Sequence, residues 1–255
     1  MSSTTWTVAE LQSKQRLSRG KCWRIVESQH YISTQKITEN NHEQDVIEKI
    51  IEETKPRIPE ECKHLNYLLY TPFRYGAGYP RRASRFRRTG SARGAFYASD
   101  DVVTAIAEMT FIRILFFAES PLTTWPTVAE QYRSFSATYA TGRCLDIRRN
   151  QFLREPSLLD PVDYSACHAL ADRAREAGVQ MLRYTSVRDP QRRPNVALLT
   201  CSIFTASTAD DLQSWHITLG SAGARVLCEA PRWATEFDRT AFANDPRIAA
   251  CKWDR

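Results

Sequence analysis

The segment from Arg74 to Met109 constrains the fold most, because a glycine-rich basic loop, a short strand and an apolar helix follow one another closely. Residues 76–94 hold four of the chain's nine glycines, so the backbone of this loop is expected to turn repeatedly. The run AFYAS then predicts a brief strand. Ser99 is a candidate N-cap for a helix that ends near Phe117.

A second group of elements follows a less regular stretch that extends to Pro161. The segment DYSACHALADRAREAG predicts a helix, with Asp163 or Ser165 as its cap and Gly178 at its C-terminal end. It leads into two predicted strands, VQMLRY and NVALLTCSIF. An earlier run, from Tyr67 to Tyr70, predicts a short buried strand that Pro72 ends. Helices mixed with several short strands indicate an α+β fold.

The first 64 residues are polar and charge-rich, unlike the rest of the chain. A helix is predicted from about His42 to Thr54, with an apolar stripe formed by Val46, Ile47, Ile50 and Ile51. The apolar content of this region is too thin for a core of its own. We therefore expect residues 1–64 to form a helical extension packed on a main domain of residues 65–255.

The composition, with 42% apolar and 25% charged residues, is typical of a soluble globular protein. The net charge of +6 favours an anionic partner, and nucleotides, nucleic acid or an acidic protein all qualify. The seven cysteines form no C-x-x-C motif, so no metal site is expected and buried, reduced thiols are favoured. No signal peptide and no apolar stretch of about 20 residues is found, which favours a cytoplasmic protein without a membrane span.

Glu108 stands alone among apolar neighbours on the predicted helix that follows the basic loop. A carboxylate on a buried helical face is costly unless another group compensates its charge. Two explanations stay open at this point. Glu108 forms a structural ion pair with an arginine distant in sequence, or it faces a cleft and meets positive charge in a ligand.

Seven arginines precede Glu108, between Arg74 and Arg93. Arginine's planar fork of donors matches phosphate oxygens, and the glycine-punctuated loop favours a small phosphate ligand over a nucleic-acid footprint. The sequence GAGYPR lacks the last glycine of a dinucleotide-binding fingerprint, and G-K-[ST] is absent, so Rossmann and P-loop sites are excluded. Tyr75 and Tyr97 are candidates to stack on a flat heterocycle.

Four segments together resemble the RES domain over residues 65–204: TPFRY, SRFRR, GAFYASDDVVTAIAEM and AREAGVQMLRYTSVRDPQRRPNVALL. The resemblance implies a core like that of ADP-ribosyltransferases, with short strands and flanking helices. It also implies a toxin that consumes NAD⁺, by hydrolysis, phosphorolysis or ADP-ribosyl transfer. Such toxins are paired with Xre-like helix-turn-helix antitoxins. The loop GAGYPRRA carries more charge than this family leads us to expect, and residues 1–64 lie outside the resemblance.

Position by position, the resemblance implies which residues form the site. The implied catalytic residues are Glu108, Arg74 and Ser186. The residues implied to bind NAD⁺, which is the substrate and not a resident cofactor, are Arg74, Tyr75, Arg85, Tyr97, Ser186 and Asn195. The arginines are expected at the phosphates, the tyrosines at the nicotinamide and ribose, and Glu108 at the cation that develops on the ribose. Nicotinamide leaves as a neutral molecule, so a single carboxylate is sufficient.

Other functions remain open from sequence. Within the NAD⁺-consuming class, the acceptor is water, phosphate or a protein side chain, and the last makes the chain a protein ADP-ribosyltransferase. A basic nucleic-acid-binding module without catalysis is an alternative of another class, and so is a catalytically dead RES domain kept for partner binding. The expected partner is an Xre-like antitoxin, in a homodimer or a larger complex, with nucleic acid contacted only through the antitoxin.

Overall fold

Eight strands form one connected sheet in the computed structural model, which describes residues 6–28, 37–75, 83–91 and 93–255. The strands are β1 (Arg16–Glu27), β2 (Phe96–Ser99), β3 (Glu130–Asp146), β4 (Met181–Thr185), β5 (Pro194–Leu198), β6 (Asp210–Gly220), β7 (Gly223–Cys228) and β8 (Trp233–Asp238). Their order across the sheet is β1-β2-β5-β4-β3-β6-β7-β8.

Six α-helices accompany this sheet within the described part of the chain. They are α1 (Val8–Ser13), α2 (Asn41–Thr54), α3 (Tyr67–Arg74), α4 (Val102–Ala118), α5 (Ser165–Glu176) and α6 (Pro246–Ala249). The predicted α+β fold of short strands with flanking helices is confirmed, as are the strand AFYAS, the helix near residues 42–54 and the helix that precedes β4.

Five of the strands close into a circuit, because β1 pairs with both β2 and β3. The antiparallel pairing of β1 with β3 is extensive and runs from Arg16↔Cys144 to Glu27↔Tyr132. The pairing of β1 with β2 is a single one, Trp23↔Ser99. Strands β1 and β2 therefore meet at one point and have no other register pair, which leaves room for side chains between them.

Three helices bury their apolar faces in separate clusters around this circuit. Helix α4 shares a cluster with β6 and β7, α5 with β4 and β5, and α3 with β2 and β5. Representative members are Ile106, Ile114 and Trp215 for α4, Leu170, Leu182 and Ala197 for α5, and Leu69, Phe96 and Val196 for α3. The three helices are thereby fixed against the sheet.

The N-terminal region is not purely helical, which corrects one expectation. Residues 1–64 contain α2, whose bounds match the predicted helix, but they also supply β1, a full strand of the sheet. Helix α2 buries none of its residues. The main sheet thus begins well before residue 65.

Three local predictions were wrong. The predicted strand from Tyr67 to Tyr70 is the start of helix α3, because the Asn66 side chain accepts the Leu68 N–H at 3.0 Å and the helix buries Leu69 and Phe73 four residues apart. The cap of α4 is Asp101, whose side chain accepts the Val103 N–H, and not Ser99. The region before Pro161 is not irregular, since it holds the 17-residue strand β3.

The cysteines also depart in part from expectation. Cys62 and Cys201 form a disulfide that links the segment before α3 to the segment after β5. Cys22, Cys144, Cys167 and Cys228 are free and buried, as predicted. The prediction of reduced thiols is therefore wrong for one pair of the seven cysteines.

A candidate active site around Glu108

A cavity of about 340 Å³ lies between α4, β1, β2 and the turn that joins β4 to β5. Its wall includes the polar side chains of Arg85, Tyr97, Glu108, Tyr164, Arg188 and Asn195. Four of these six positions were predicted as site residues from sequence. The structure thus brings together side chains from distant parts of the chain.

The Glu108 carboxylate is held by three donors from the second half of the domain. Its Oε1 atom accepts a hydrogen bond from Ser186 Oγ at 2.6 Å and another from Asn195 Nδ2 at 2.6 Å. Its Oε2 atom lies 3.2 Å from Arg188 Nη1. The side chain is 21% exposed, so it faces the cavity while these donors fix its orientation.

Ser186 is oriented by the turn that follows β4. Its Oγ atom accepts the N–H groups of Arg188 at 3.2 Å and Asp189 at 2.9 Å. Because both acceptor positions of the hydroxyl are then used, its proton is directed to Glu108. Ser186 is completely buried and lies behind the carboxylate, outside the cavity wall. It therefore positions Glu108.

Asn195 is oriented by its neighbour across the sheet. Ser99 and Asn195 are paired in register between β2 and β5, and the Ser99 hydroxyl donates to Asn195 Oδ1 at 2.7 Å. The amide nitrogen must then point the other way, towards Glu108. Ser99, predicted as a helix cap, acts here as a support for the site.

Arg188 supplies the positive charge beside Glu108. Burial opposes the charge on Arg188, but the Glu108 carboxylate together with Tyr164 and Tyr184 outweighs it, so the pKa of the guanidinium is raised and the group stays charged. Arg188 also donates to the Tyr164 hydroxyl at 3.0 Å and lies 5.0 Å from the centre of the Phe111 ring. The structural ion pair with a distant arginine is therefore present, and Glu108 also faces a cavity.

Tyr97 and Arg85 also line this cavity. The Tyr97 hydroxyl pairs with Ser84 Oγ at 2.9 Å and accepts the Phe86 N–H at 3.0 Å, and burial raises its pKa. Arg85 donates to the carbonyls of Leu158 at 3.0 Å and Asp160 at 2.9 Å. The two side chains tie residues 84–86 of the basic loop to β2 and to the segment that precedes α5.

Arg74 and Tyr75 are not in the wall of this cavity. Arg74 is buried and points to α2, where its Nη2 atom lies 2.6 Å from Glu52 Oε1 and its Nε atom donates to the Pro56 carbonyl. Tyr75 follows the last residue of α3. The structure therefore does not bring Arg74 to Glu108. Arg81 and Arg82 of the predicted basic loop lie outside the described residues.

Sequence reasoning missed three residues of the wall: Arg188, Tyr164 and Arg24. Arg188 had a signal, because it follows Ser186 by two residues in the segment RYTSVRDP. Tyr164 had none, since it precedes α5 by one residue and contacts the site only through folding. Arg24 lies on β1, in the region thought to be an extension.

The described residues contain no group of three or more histidine, cysteine, aspartate or glutamate side chains arranged to hold a metal ion. Among the helices in these same ranges, none has the length and apolarity required to cross a membrane.

A search of curated proteins finds no match. Among solved structures, the crystal structure of the M. tuberculosis MbcT–MbcA toxin–antitoxin complex is similar, with 14% identity and a TM-score of 0.46 over 83% of this chain and 91% of that chain. The family model described as the RES domain matches residues 56–220, which is more than half of the chain. The chain therefore belongs to the RES domain family.

Proposed function

We propose that this chain is a cytoplasmic toxin that consumes NAD⁺ by cleaving the bond between nicotinamide and ribose. One observation carries the proposal: Glu108 faces a cavity of about 340 Å³ while Ser186, Asn195 and Arg188 hold its carboxylate. A carboxylate fixed in a partly buried wall is suited to a substrate that carries or develops positive charge. Membership of the RES domain family adds support from sequence.

The chemistry requires one carboxylate. Cleaving the nicotinamide–ribose bond develops a cation like that of glycoside hydrolysis on the ribose, and Glu108 would stabilise this cation or hold a ribose hydroxyl. Nicotinamide departs as a neutral molecule, so no second acid is needed to protonate it. Ser186 and Asn195 keep the carboxylate from turning, which lowers the reorganisation needed when the charge develops. Tyr97 lies on the same cavity wall, where its ring could contact nicotinamide.

The acceptor of the ADP-ribosyl group sets the reaction, and we propose water or phosphate. The test is to incubate the purified protein with NAD⁺, with and without inorganic phosphate, and to identify the products by mass. Free ADP-ribose indicates hydrolysis, a phosphorylated ADP-ribose indicates phosphorolysis, and a modified protein indicates a protein ADP-ribosyltransferase. Intact NAD⁺ under every condition, together with salt-dependent binding to DNA or RNA, would favour the nucleic-acid-binding alternative.

Replacing the carboxylate is the sharpest single test. Glu108→Gln keeps the shape of the side chain but removes its charge, so we expect NAD⁺ cleavage to fall about 100- to 1000-fold while the fold is retained. The matched control is Glu119→Gln, at the C-terminal end of the same helix, where the side chain is about half exposed. Near-normal turnover in Glu108→Gln would remove Glu108 from the chemistry.

An enzyme that drains NAD⁺ harms the cell that makes it, so we also propose that a cognate Xre-like antitoxin neutralises it. The net charge of +6 suits an acidic segment of such a partner. The assembly would be a homodimer or a larger complex with the antitoxin, and any contact with nucleic acid would be made through the antitoxin. Size-exclusion chromatography with light scattering on the co-expressed pair measures this stoichiometry.

A further inference from the structure

A second cavity of about 480 Å³ adjoins the first. Both cavities are lined by Arg24 and Met109, so these two side chains lie at the border of the two spaces. The second cavity lies between α3, which contributes Tyr67 and Thr71, and the paired strands β1 and β3, of which β3 contributes Arg133. Glu108 lines the first cavity and does not line the second.

Strands β1 and β2 separate next to the two cavities. Trp23↔Ser99 is the single pairing between β1 and β2, and Arg24 is the next residue of β1. Arg24 spans the space between the strands, because its Nη1 atom donates to the Tyr97 carbonyl at 2.7 Å and its guanidinium lies 5.1 Å from the centre of the Phe96 ring. These contacts hold a positive charge at the border of the two cavities.

We infer that the second cavity receives the adenosine diphosphate half of the dinucleotide, with Arg24 at the diphosphate. This inference rests on the proposed function for the first cavity. The order of groups from one cavity to the other is a carboxylate at Glu108, a cation at Arg24, and a second cation with an aromatic ring at Arg133 and Tyr67. NAD⁺ carries its own groups in a matching order: a cationic nicotinamide riboside, an anionic diphosphate and a purine.

The side chains of the second cavity fit this ligand chemically. Arginine donates in a planar fork that matches phosphate oxygens, and Arg133 is exposed on β3 beside the cavity. Tyr67 is 55% exposed, so its ring is accessible for a purine to stack on. The acid in this wall, Glu27, lies 3.7 Å from Arg113 Nη1, and Arg113 also pairs with Glu130, so these three groups together keep one negative charge. Arg74, the arginine that sequence assigned to the phosphates, is paired with Glu52. The cation placed at the diphosphate is therefore Arg24, which lies on β1.

A truncated substrate distinguishes the contributions of the two cavities to binding. Nicotinamide mononucleotide carries the scissile bond and one phosphate but no adenosine, so its cleavage should not depend on Arg133. We expect Arg133→Gln to raise KM for NAD⁺ about 10-fold, to leave kcat within about twofold, and to leave the cleavage of nicotinamide mononucleotide unchanged. Arg24→Gln should weaken both substrates. The control is Arg19→Gln, which removes the same charge from an exposed position of β1 outside both cavities.

A binding measurement keeps this inference separate from the proposed function. Calorimetric titration with ADP, which has no nicotinamide bond to cleave, should show binding that Arg133→Gln weakens about 10-fold and Arg19→Gln leaves unchanged. If NAD⁺ stays intact but ADP binds in this way, the proposed function fails and the cavity assignment stands. If NAD⁺ is cleaved with an unaltered KM in Arg133→Gln, or that variant weakens both substrates equally, the cavity assignment is overturned and the proposed function stands.

Discussion

At the scale of single residues, the Glu108 carboxylate depends on two neutral donors at one oxygen and one cation at the other. Ser186 and Asn195 add no charge of their own, so Arg188 is the one charged group that contacts the carboxylate. Neutral donors fix the direction of the carboxylate without weakening its attraction for a cationic substrate. The residue at position 195 must therefore be a neutral donor as well as have the size of asparagine.

Asn195→Asp tests this point, because it replaces a donor by a second carboxylate of the same shape. Two carboxylates at 2.6 Å cannot both stay ionised, so the pair holds one proton at neutral pH. We expect NAD⁺ cleavage to fall about 100-fold at pH 7 and the acid limb of the kcat/KM profile to move to higher pH. Asn195→Ala, which adds no charge, should lower activity without moving that limb. An unmoved limb in Asn195→Asp would contradict this account.

Part of the site was predictable from sequence at this scale, and part was not. Glu108, Ser186 and Asn195 stand in motifs that resemble a known family, and the structure brings all three together. Arg74 stands in such a motif too, but its partner is Glu52 on α2, a helix that residue spacing could not place beside it. Long-range ion pairs leave no local pattern, so sequence could not reveal this one.

At the scale of elements, the site depends on how closely α3 approaches the segment that leads into β2. Gly94 makes this approach possible, since a Cβ atom added there would lie 2.2 Å from the Pro72 carbonyl oxygen and 2.6 Å from Phe73 Cα. Both neighbours are backbone atoms and cannot move without displacing the helix. Glycine is thus required here for close packing.

Gly94→Ala should accordingly destabilise the protein by about 2 kcal/mol, because overpacking of this kind costs about 1–3 kcal/mol. The corresponding fall in Tm, measured by differential scanning calorimetry, is about 4–8 °C for a chain of this size. The matched control is Gly142→Ala on β3, where an added Cβ meets nothing within 4 Å and little change is expected. Equal Tm values for the two variants would show that α3 moves freely.

Element types were predictable where a local signal decided them. The helices α2 and α5 and the strands β2, β4 and β5 follow local patterns of apolar residues. Strand β3 gave no such pattern, because it buries the hydroxyls of Ser134 and Ser136. Those hydroxyls have partners on β6, where Trp215 Nε1 donates to Ser134 at 2.9 Å and Asp211 accepts from Ser136 at 2.7 Å. Only the tertiary structure supplies such partners.

At the scale of the whole molecule, β1 belongs to the core of the fold although it precedes the RES match at residues 56–220. It closes the circuit of five strands and supplies Arg24 to both cavities. The expectation of a separate extension came from the thin apolar content of residues 1–64. That content is sufficient for a strand that shares the core of its neighbours, and sequence could not show which neighbour that is.

A chain that begins at residue 56 should therefore fail to fold. It would lose the pairing of β1 with β3 from Arg16 to Glu27 and would expose an edge of β3. We expect an aggregated or unfolded product without a cooperative thermal transition by circular dichroism, whereas the full chain unfolds cooperatively. A soluble, cooperatively unfolding fragment would contradict the role assigned to β1.

The closed circuit of strands also determines the order in which the newly synthesised chain can fold. Strand β1 leaves the ribosome first, but its partner β3 follows about a hundred residues later. At roughly 5–20 residues per second, translation leaves β1 without that partner for about 5–20 s. The Glu108 carboxylate also lacks its donors Ser186 and Asn195 at this stage, because they are translated later still. A nascent chain thus carries the Glu108 carboxylate without these donors until most of its length has been synthesised.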